Sequence, residues 1–167
     1  MYKRQEYNIG EPLFCIEPGR YIVCDAGVLL TRVSTVKRNQ YKNFIGVDAG
    51  MHLLIRPVLY GAYHEIVNCN TPPISKTENS GQKTTTYDVV GPICEVGDFL
   101  AQNRELSKTD EGDVLAILNA GAYGYCMSSN YNLRMRPAEV GIYNGRVEVI
   151  RKAEKLDNYL DEQKMLF

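Results

Sequence analysis

The sequence predicts a mainly β protein, a Greek-key β-sandwich or barrel carrying a few short helices. Three observations support this. Runs rich in β-branched residues recur along the chain. They do not alternate regularly with helical patterns, which argues against a parallel α/β sheet. Near the C-terminus, Asn144-Gly145 separates two alternating runs, the strongest local signal for a hairpin. At 167 residues the chain fits one domain that can bury roughly 70% of its unfolded surface.

The elements follow in order. Leu13-Phe14-Cys15-Ile16 is an apolar run stopped by Pro18-Gly19, and it predicts a buried strand ending at a site loop. Residues 21–26 suit a short helix. Residues 28–37 are β-branched and place Val28, Leu30, Arg32, Ser34 and Val36 on one face of a strand. Residues 42–47 form another strand, ended by Asp48-Ala49-Gly50. Over 55–62 a helical turn would put Arg56 and Tyr60 on one side. A strand starts at 65–68. The polar stretch 68–86, with Pro72-Pro73 and Ser80-Gly81, predicts a mobile loop. Residues 84–90 alternate and are β-branched, hence a strand, and 113–118 are an apolar strand. The hairpin covers 138–143 and 146–151, with Asn144-Gly145 supplying the positive φ angles of its turn. A short helix suits 154–164.

Composition narrows the function classes. A net charge of −1 argues against an electrostatic nucleic-acid partner. No apolar run approaches a membrane span, and the N-terminus lacks a signal-peptide core. Five cysteines, an odd number without Cys-x-x-Cys spacing, argue against a disulfide framework and fit a reducing cytoplasm. His52 and His64 show no ligand-like pattern, so no metal site is expected.

Several motifs carry chemistry. Cys94-Glu95-x-Gly97-Asp98 follows a Gly-Pro turn. Arg56-Pro57-x-Leu59-Tyr60 precedes Ala62-Tyr63-His64. Glu17-Pro18-Gly19-Arg20 lies upstream. Gly121-Ala122-Tyr123-Gly124 leads into Ser128-Ser129-Asn130-Tyr131-Asn132, with Arg136-Pro137 beyond. Taken singly, these residues have plain readings: a buried Cys, a solvated Glu, a surface Arg, a turn glycine, one of 12 tyrosines. Taken in this order, they resemble the C-terminal part of the diaminopimelate decarboxylases, pyridoxal-phosphate enzymes of the alanine-racemase-like group. The resemblance runs from about Leu13 to Leu160.

The resemblance implies roles. Cys94 would be catalytic, returning a proton to the carbon left when CO₂ departs; a thiol suits this work because its proton affinity can be tuned near neutrality. Glu95 would hold the distal ammonium of meso-diaminopimelate, from a loop that enters the neighbouring subunit's active site. Arg20, Arg56 and Tyr60 would bind the substrate, with guanidinium forks on the distal carboxylate. That carboxylate separates diaminopimelate from ornithine. Gly19, Arg20 and Tyr123 would meet the cofactor, Gly19 through an unobstructed backbone N–H, and Tyr123 would also contact substrate. Asn130, Tyr131 and Arg136-Pro137 read as structural.

The same resemblance implies missing parts. The family holds pyridoxal phosphate on a lysine of an N-terminal β/α barrel, which also supplies a histidine and a glycine-rich phosphate loop. No lysine here stands in a comparable motif. Residues 1–27 then read as the end of that barrel and a linker, and 28–167 as the C-terminal β domain. The expected function is the substrate-binding and dimerisation portion of such an enzyme, inactive alone and without bound cofactor. Its partners would be a second copy, the barrel half or a full-length enzyme, and meso-diaminopimelate, with no nucleic acid and no membrane. The alternatives are a non-catalytic truncated paralogue serving assembly and, more weakly, an ornithine or arginine decarboxylase relative, which Arg56 and Glu95 disfavour.

Overall fold

The computed structural model of the chain describes residues 6–7, 13–71, 83–161 and 163. A six-stranded sheet forms its centre. The strands are β1 (Leu29–Arg38), β2 (Asn43–Val47), β3 (Ile66–Asn68), β4 (Thr84–Val90), β5 (Phe99–Ser107) and β6 (Val114–Ile117), in the order β3-β6-β1-β2-β4-β5. A separate two-stranded ribbon pairs β7 (Glu139–Tyr143) with β8 (Arg146–Arg151). Short helices accompany them: α1 (Gly19–Val23), α2 (Arg56–Tyr60) and α3 (Leu156–Asp161). Single 3-10 turns occur at Tyr125–Met127 and Tyr131–Leu133.

The sheet curls because β1 is shared. Its first residues, Leu29 to Arg32, pair with β6, and Val33 to Arg38 pair with β2, with a register slip between Val33 and Thr35. A slip of this kind bends a strand and increases its twist. The two edges, β3 and β5, are then stitched together by side chains. Arg104 Nη1 donates to the His64 carbonyl at 2.7 Å, and the Thr71 and Ser107 hydroxyls meet at 2.6 Å. Beside them, Asn68 Nδ2 donates to Asp113 Oδ2 at 2.8 Å and to Thr109 Oγ1 at 3.2 Å. The result is a nearly closed barrel.

Val33, Ile45, Leu54, Tyr87, Val89, Leu100, Leu106, Leu115 and Ile117 fill its interior. Burying each large aliphatic side chain contributes about 1.5–3 kcal/mol. In β1 the inward face carries Thr31 and Val33, while Leu30 and Arg32 point out. The hairpin turn has Asn144 at φ 49° and Gly145 at φ 75°, as the sequence demands. No helix among the described residues is long and apolar enough to cross a membrane. Nor does any group of three or more His, Cys, Asp or Glu among them suit a metal ion.

Two sequence expectations need correction. Leu13 to Ile16 is not a buried strand: Leu13, Phe14 and Ile16 are each more than 80% exposed, without secondary structure. An apolar run becomes a strand only where a neighbouring ladder accepts its backbone groups, and none does among the described residues. Strand β5 is unannounced in the sequence, because the polar run Gln102 to Glu105 hides the alternation. Asn103 sits at φ 49° within it, and its N–H is taken by Asp88 Oδ1 at 2.7 Å. Of the polar stretch expected as a loop, Asn68 belongs to β3 and 84–86 to β4, while 72–82 lie outside the described residues.

Candidate functional site

Two glycines set the site's first wall. A Cβ on Gly121 would lie 2.0 Å from the Val23 carbonyl oxygen, and one on Gly27 would lie 2.4 Å from Gly121 Cα. Only glycine permits so close a crossing. Backbone bonds lock it: Ala120 N–H to the Gly27 carbonyl at 2.8 Å and Gly121 N–H to the Cys24 carbonyl at 3.0 Å. The end of α1 is thereby fixed to the turn after β6. In that turn Tyr123 adopts φ 61°, a left-handed conformation uncommon for an aromatic residue and often found at functional sites.

Helix α2 sets the second wall. Pro57 occupies its first turn, where the missing N–H costs nothing. Gly61 ends it in the left-handed region at φ 61°. Arg56 and Tyr60 stand one turn apart, as the spacing predicts, and the guanidinium carbon lies 5.5 Å from the Tyr60 ring centre. It lies 5.3 Å from the ring of Tyr123. Arg56 is thus held by two aromatic faces, and its N–H groups make no hydrogen bond or ion pair among the described residues. Between the walls opens a cleft of about 820 Å³, lined by Arg20 and Tyr21 of α1, then Asp25, Arg56, His64 and Asn119 among others. Arg20 likewise has no ion-pair partner among the described residues.

His64 is 2% exposed. Its Nδ1 lies 2.9 Å from the Leu118 carbonyl oxygen. Burial lowers its pKa below 6.5; the Leu118 bond opposes this, and the charges of Arg56, Arg104 and Arg20 reinforce it.

Cys94 and Glu95 do not line the cleft. They ride on the 91–98 loop, exposed, beside a fully exposed Val96. Asp98 anchors the base of this loop. Its buried carboxylate accepts the Met51 N–H at 2.6 Å and the Ile93 N–H at 2.7 Å. Glycine at 50 and 91 makes room, since a Cβ at either position would overlap that carboxylate. From the other side Asn132 Nδ2 reaches Cys94 Sγ at 3.5 Å. Asn132 takes φ 57° in a turn that Glu154 supports by accepting from Asn130 Nδ2 at 2.6 Å.

The structure therefore gathers Arg20, Arg56, Tyr60 and Tyr123 and leaves Cys94 and Glu95 on a projecting loop. Gly19 starts α1 with open space around its Cα, yet its N–H donates to the Glu17 carbonyl at 2.9 Å, so it is not the unobstructed donor expected from the sequence. Sequence reasoning missed Asp98 as the loop's anchor, His64 in the cleft wall and Asn132 beside the thiol. All three stand within the motifs named above, but only proximity in space gives their roles.

Comparison with known proteins bears on this arrangement. Residues 20–121 match the family described as pyridoxal-dependent decarboxylase, C-terminal sheet domain. The chain is 49% identical over 161 residues to diaminopimelate decarboxylase of Methanothermobacter thermautotrophicus, covering 96% of this chain and 36% of that protein. It is 51% identical over 142 residues to the Aquifex aeolicus diaminopimelate decarboxylase, covering 85% and 32%. A crystal structure of the M. jannaschii diaminopimelate decarboxylase with L-lysine superposes with a TM-score of 0.79 at 34% identity, covering 98% of this chain and 36% of that one. The chain spans about a third of the length of these relatives.

Proposed function

Because the chain belongs to the pyridoxal-dependent decarboxylase C-terminal sheet domain family, we propose that it is the substrate-binding and dimerisation portion of a diaminopimelate decarboxylase. The observation that carries this reading is the pair of guanidinium groups, Arg20 and Arg56, on one cleft with no ion-pair partner among the described residues. Five N–H donors each, without an ion-pair partner among the described residues although Asp25 also lines the cleft, suit a ligand carboxylate or phosphate. These residues fit the anionic edge of pyridoxal phosphate. They do not fit its aldehyde, since no lysine among the described residues lines the cleft.

When bound, pyridoxal phosphate supplies the sink for the electrons released with CO₂. This chain's residues bind, orient and move a proton. The Arg56 fork takes the distal carboxylate of meso-diaminopimelate bidentately, with the Tyr60 hydroxyl as a further donor. Arg20 and Tyr123 meet the cofactor's charged edge and the substrate. Gly19 leaves space there because nothing lies within 4 Å of where its Cβ would be. Glu95 and Cys94 serve a second copy's cleft from the projecting loop: Glu95 accepts from the distal ammonium, and the Cys94 thiol gives its proton to the α-carbon once CO₂ has left.

Joining this chain to the part of the M. thermautotrophicus enzyme that it does not cover tests the reading. The chimaera should release CO₂ from meso-diaminopimelate, while this chain alone should not. A folded chimaera that binds pyridoxal phosphate yet releases no CO₂ would sink the proposal.

The reading of the chain as an assembly module has its own observation. Leu13, Phe14, Ile16, Tyr21, Ile22 and Leu30 are all exposed. An apolar surface of this kind marks a contact, and a symmetric pair is its simplest closed form. Light scattering should give the mass of a dimer at micromolar concentration; a strictly monomeric mass defeats this part.

A further inference from the structure

The His64 ring poses a question that the site's proposed chemistry leaves open. A carbonyl oxygen only accepts, so the bond to Leu118 fixes the hydrogen on Nδ1. In the neutral ring, Nε2 is then a bare acceptor. That atom is buried, and no donor reaches it among the described residues. Buried orphans are few in native proteins and call for a reason. On the same cleft, Arg56 has the opposite deficit, N–H groups with no acceptor among the described residues, its guanidinium resting on the Tyr60 and Tyr123 rings. The two residues are joined by α2 and its Gly61 end. The Arg56 charge is the largest that His64 feels.

We infer that His64 is a positioning residue for Arg56. Its Nε2 accepts one guanidinium N–H when an anion draws Arg56 away from the tyrosine rings, and the remaining fork is thereby aimed at the ligand carboxylate. This rests on the reading of Arg56 as the carboxylate's partner. The acceptor suits the task because a neutral ring can steer a guanidinium without competing for its charge, as a carboxylate would.

The chain has two histidines, so nitrogen-15 NMR of the imidazoles reads His64 with little overlap. In the 167-residue chain, Nε2 of His64 should show the signature of a free acceptor. Adding meso-diaminopimelate to tens of millimolar should move it towards the hydrogen-bonded value. His64→Asn keeps a donor for the Leu118 carbonyl but removes the Nε2 acceptor. It should weaken diaminopimelate binding about tenfold, the worth of one hydrogen bond, at a temperature where the variant is fully folded. His64→Gln, which returns an acceptor near the Nε2 position, should restore most of the affinity. A purely structural role would move Tm and give no rescue by glutamine. If Arg56→Ala abolishes binding while His64→Asn leaves it intact, the positioning role falls and the reading of Arg56 stands. If Arg56→Ala binds as tightly as the original, both fall. Should His64→Asn fail to fold, the resonance of the unsubstituted chain decides, and an unmoved Nε2 overturns the inference.

Discussion

The barrel interior and the cleft rim treat their polar groups in opposite ways. Inside, each buried charge is answered. Asp88 takes Lys42 Nζ at 2.6 Å and the Asn103 N–H at 2.7 Å, and Asp98 takes two backbone N–H groups. On the rim, Arg56 rests on aromatic faces, neither Arg20 nor Arg56 has an ion-pair partner among the described residues, and Tyr123 holds a left-handed backbone. The barrel spends its buried carboxylates on itself, whereas the rim keeps its guanidinium groups uncommitted among the described residues. That difference separates groups that stabilise a fold from groups that serve a ligand, and it can be probed by substitution.

The largest effect belongs to the interior. Leu115 is fully buried in β6, and Leu115→Ala should cost about 2–5 kcal/mol, roughly 5–15 °C in Tm, through lost burial and the cavity left behind. Calorimetry reads it directly; a loss below 1 °C would mean that the barrel core is not the stabilising element. A middle effect comes from acid. Burial holds both His52 and His64 below the ordinary 6.5. The unfolded chain therefore takes up protons near pH 6.5 that the folded chain refuses. Their contribution is complete above about pH 6.5 and is lost as pH falls through the lowered folded values. Tm should fall between pH 7.5 and pH 5, where carboxylates do not yet titrate; a flat or rising Tm over that range contradicts this. The smallest effect is expected at the rim. Arg56→Ala should change stability by only about 1 kcal/mol, the worth of its ring contacts, because no described residue takes its N–H groups. A loss comparable to that of Leu115→Ala would erase the distinction between frame and rim.

Legibility in the sequence follows the same division. Strands with clear alternation or β-branched runs, such as β1, β4 and the β7–β8 ribbon, are found within a residue or two. Asn144-Gly145 names its own turn. Strand β5 escapes because a polar middle with a left-handed Asn103 breaks the pattern that periodicity detects. Leu13 to Ile16 misleads because apolarity says that a segment seeks cover, not that this chain supplies it. Arg56 and Tyr60 can be paired from their spacing alone, since one helical turn brings them together. That Tyr123 joins them across 63 residues of sequence, or that His64 faces the same cleft, depends on how the barrel closes. The ladders of the sheet decide that closure, and no local pattern encodes it.

The parallel pairing of β2 with β4 has a consequence in time. Phe44 lies opposite Asp88 and Gly46 opposite Val90, so the two strands meet only after a long excursion of the chain. Strand β1 likewise waits for Leu115 and Ile117 before its first half has a neighbour. Pairings so distant in sequence must close large loops before they gain anything, which slows folding. On the ribosome the first half of this chain has no finished sheet to join. The second half of β1 can pair with β2 at once, but β3 and the first half of β1 would wait until residue 117 has emerged, and the barrel would then close late.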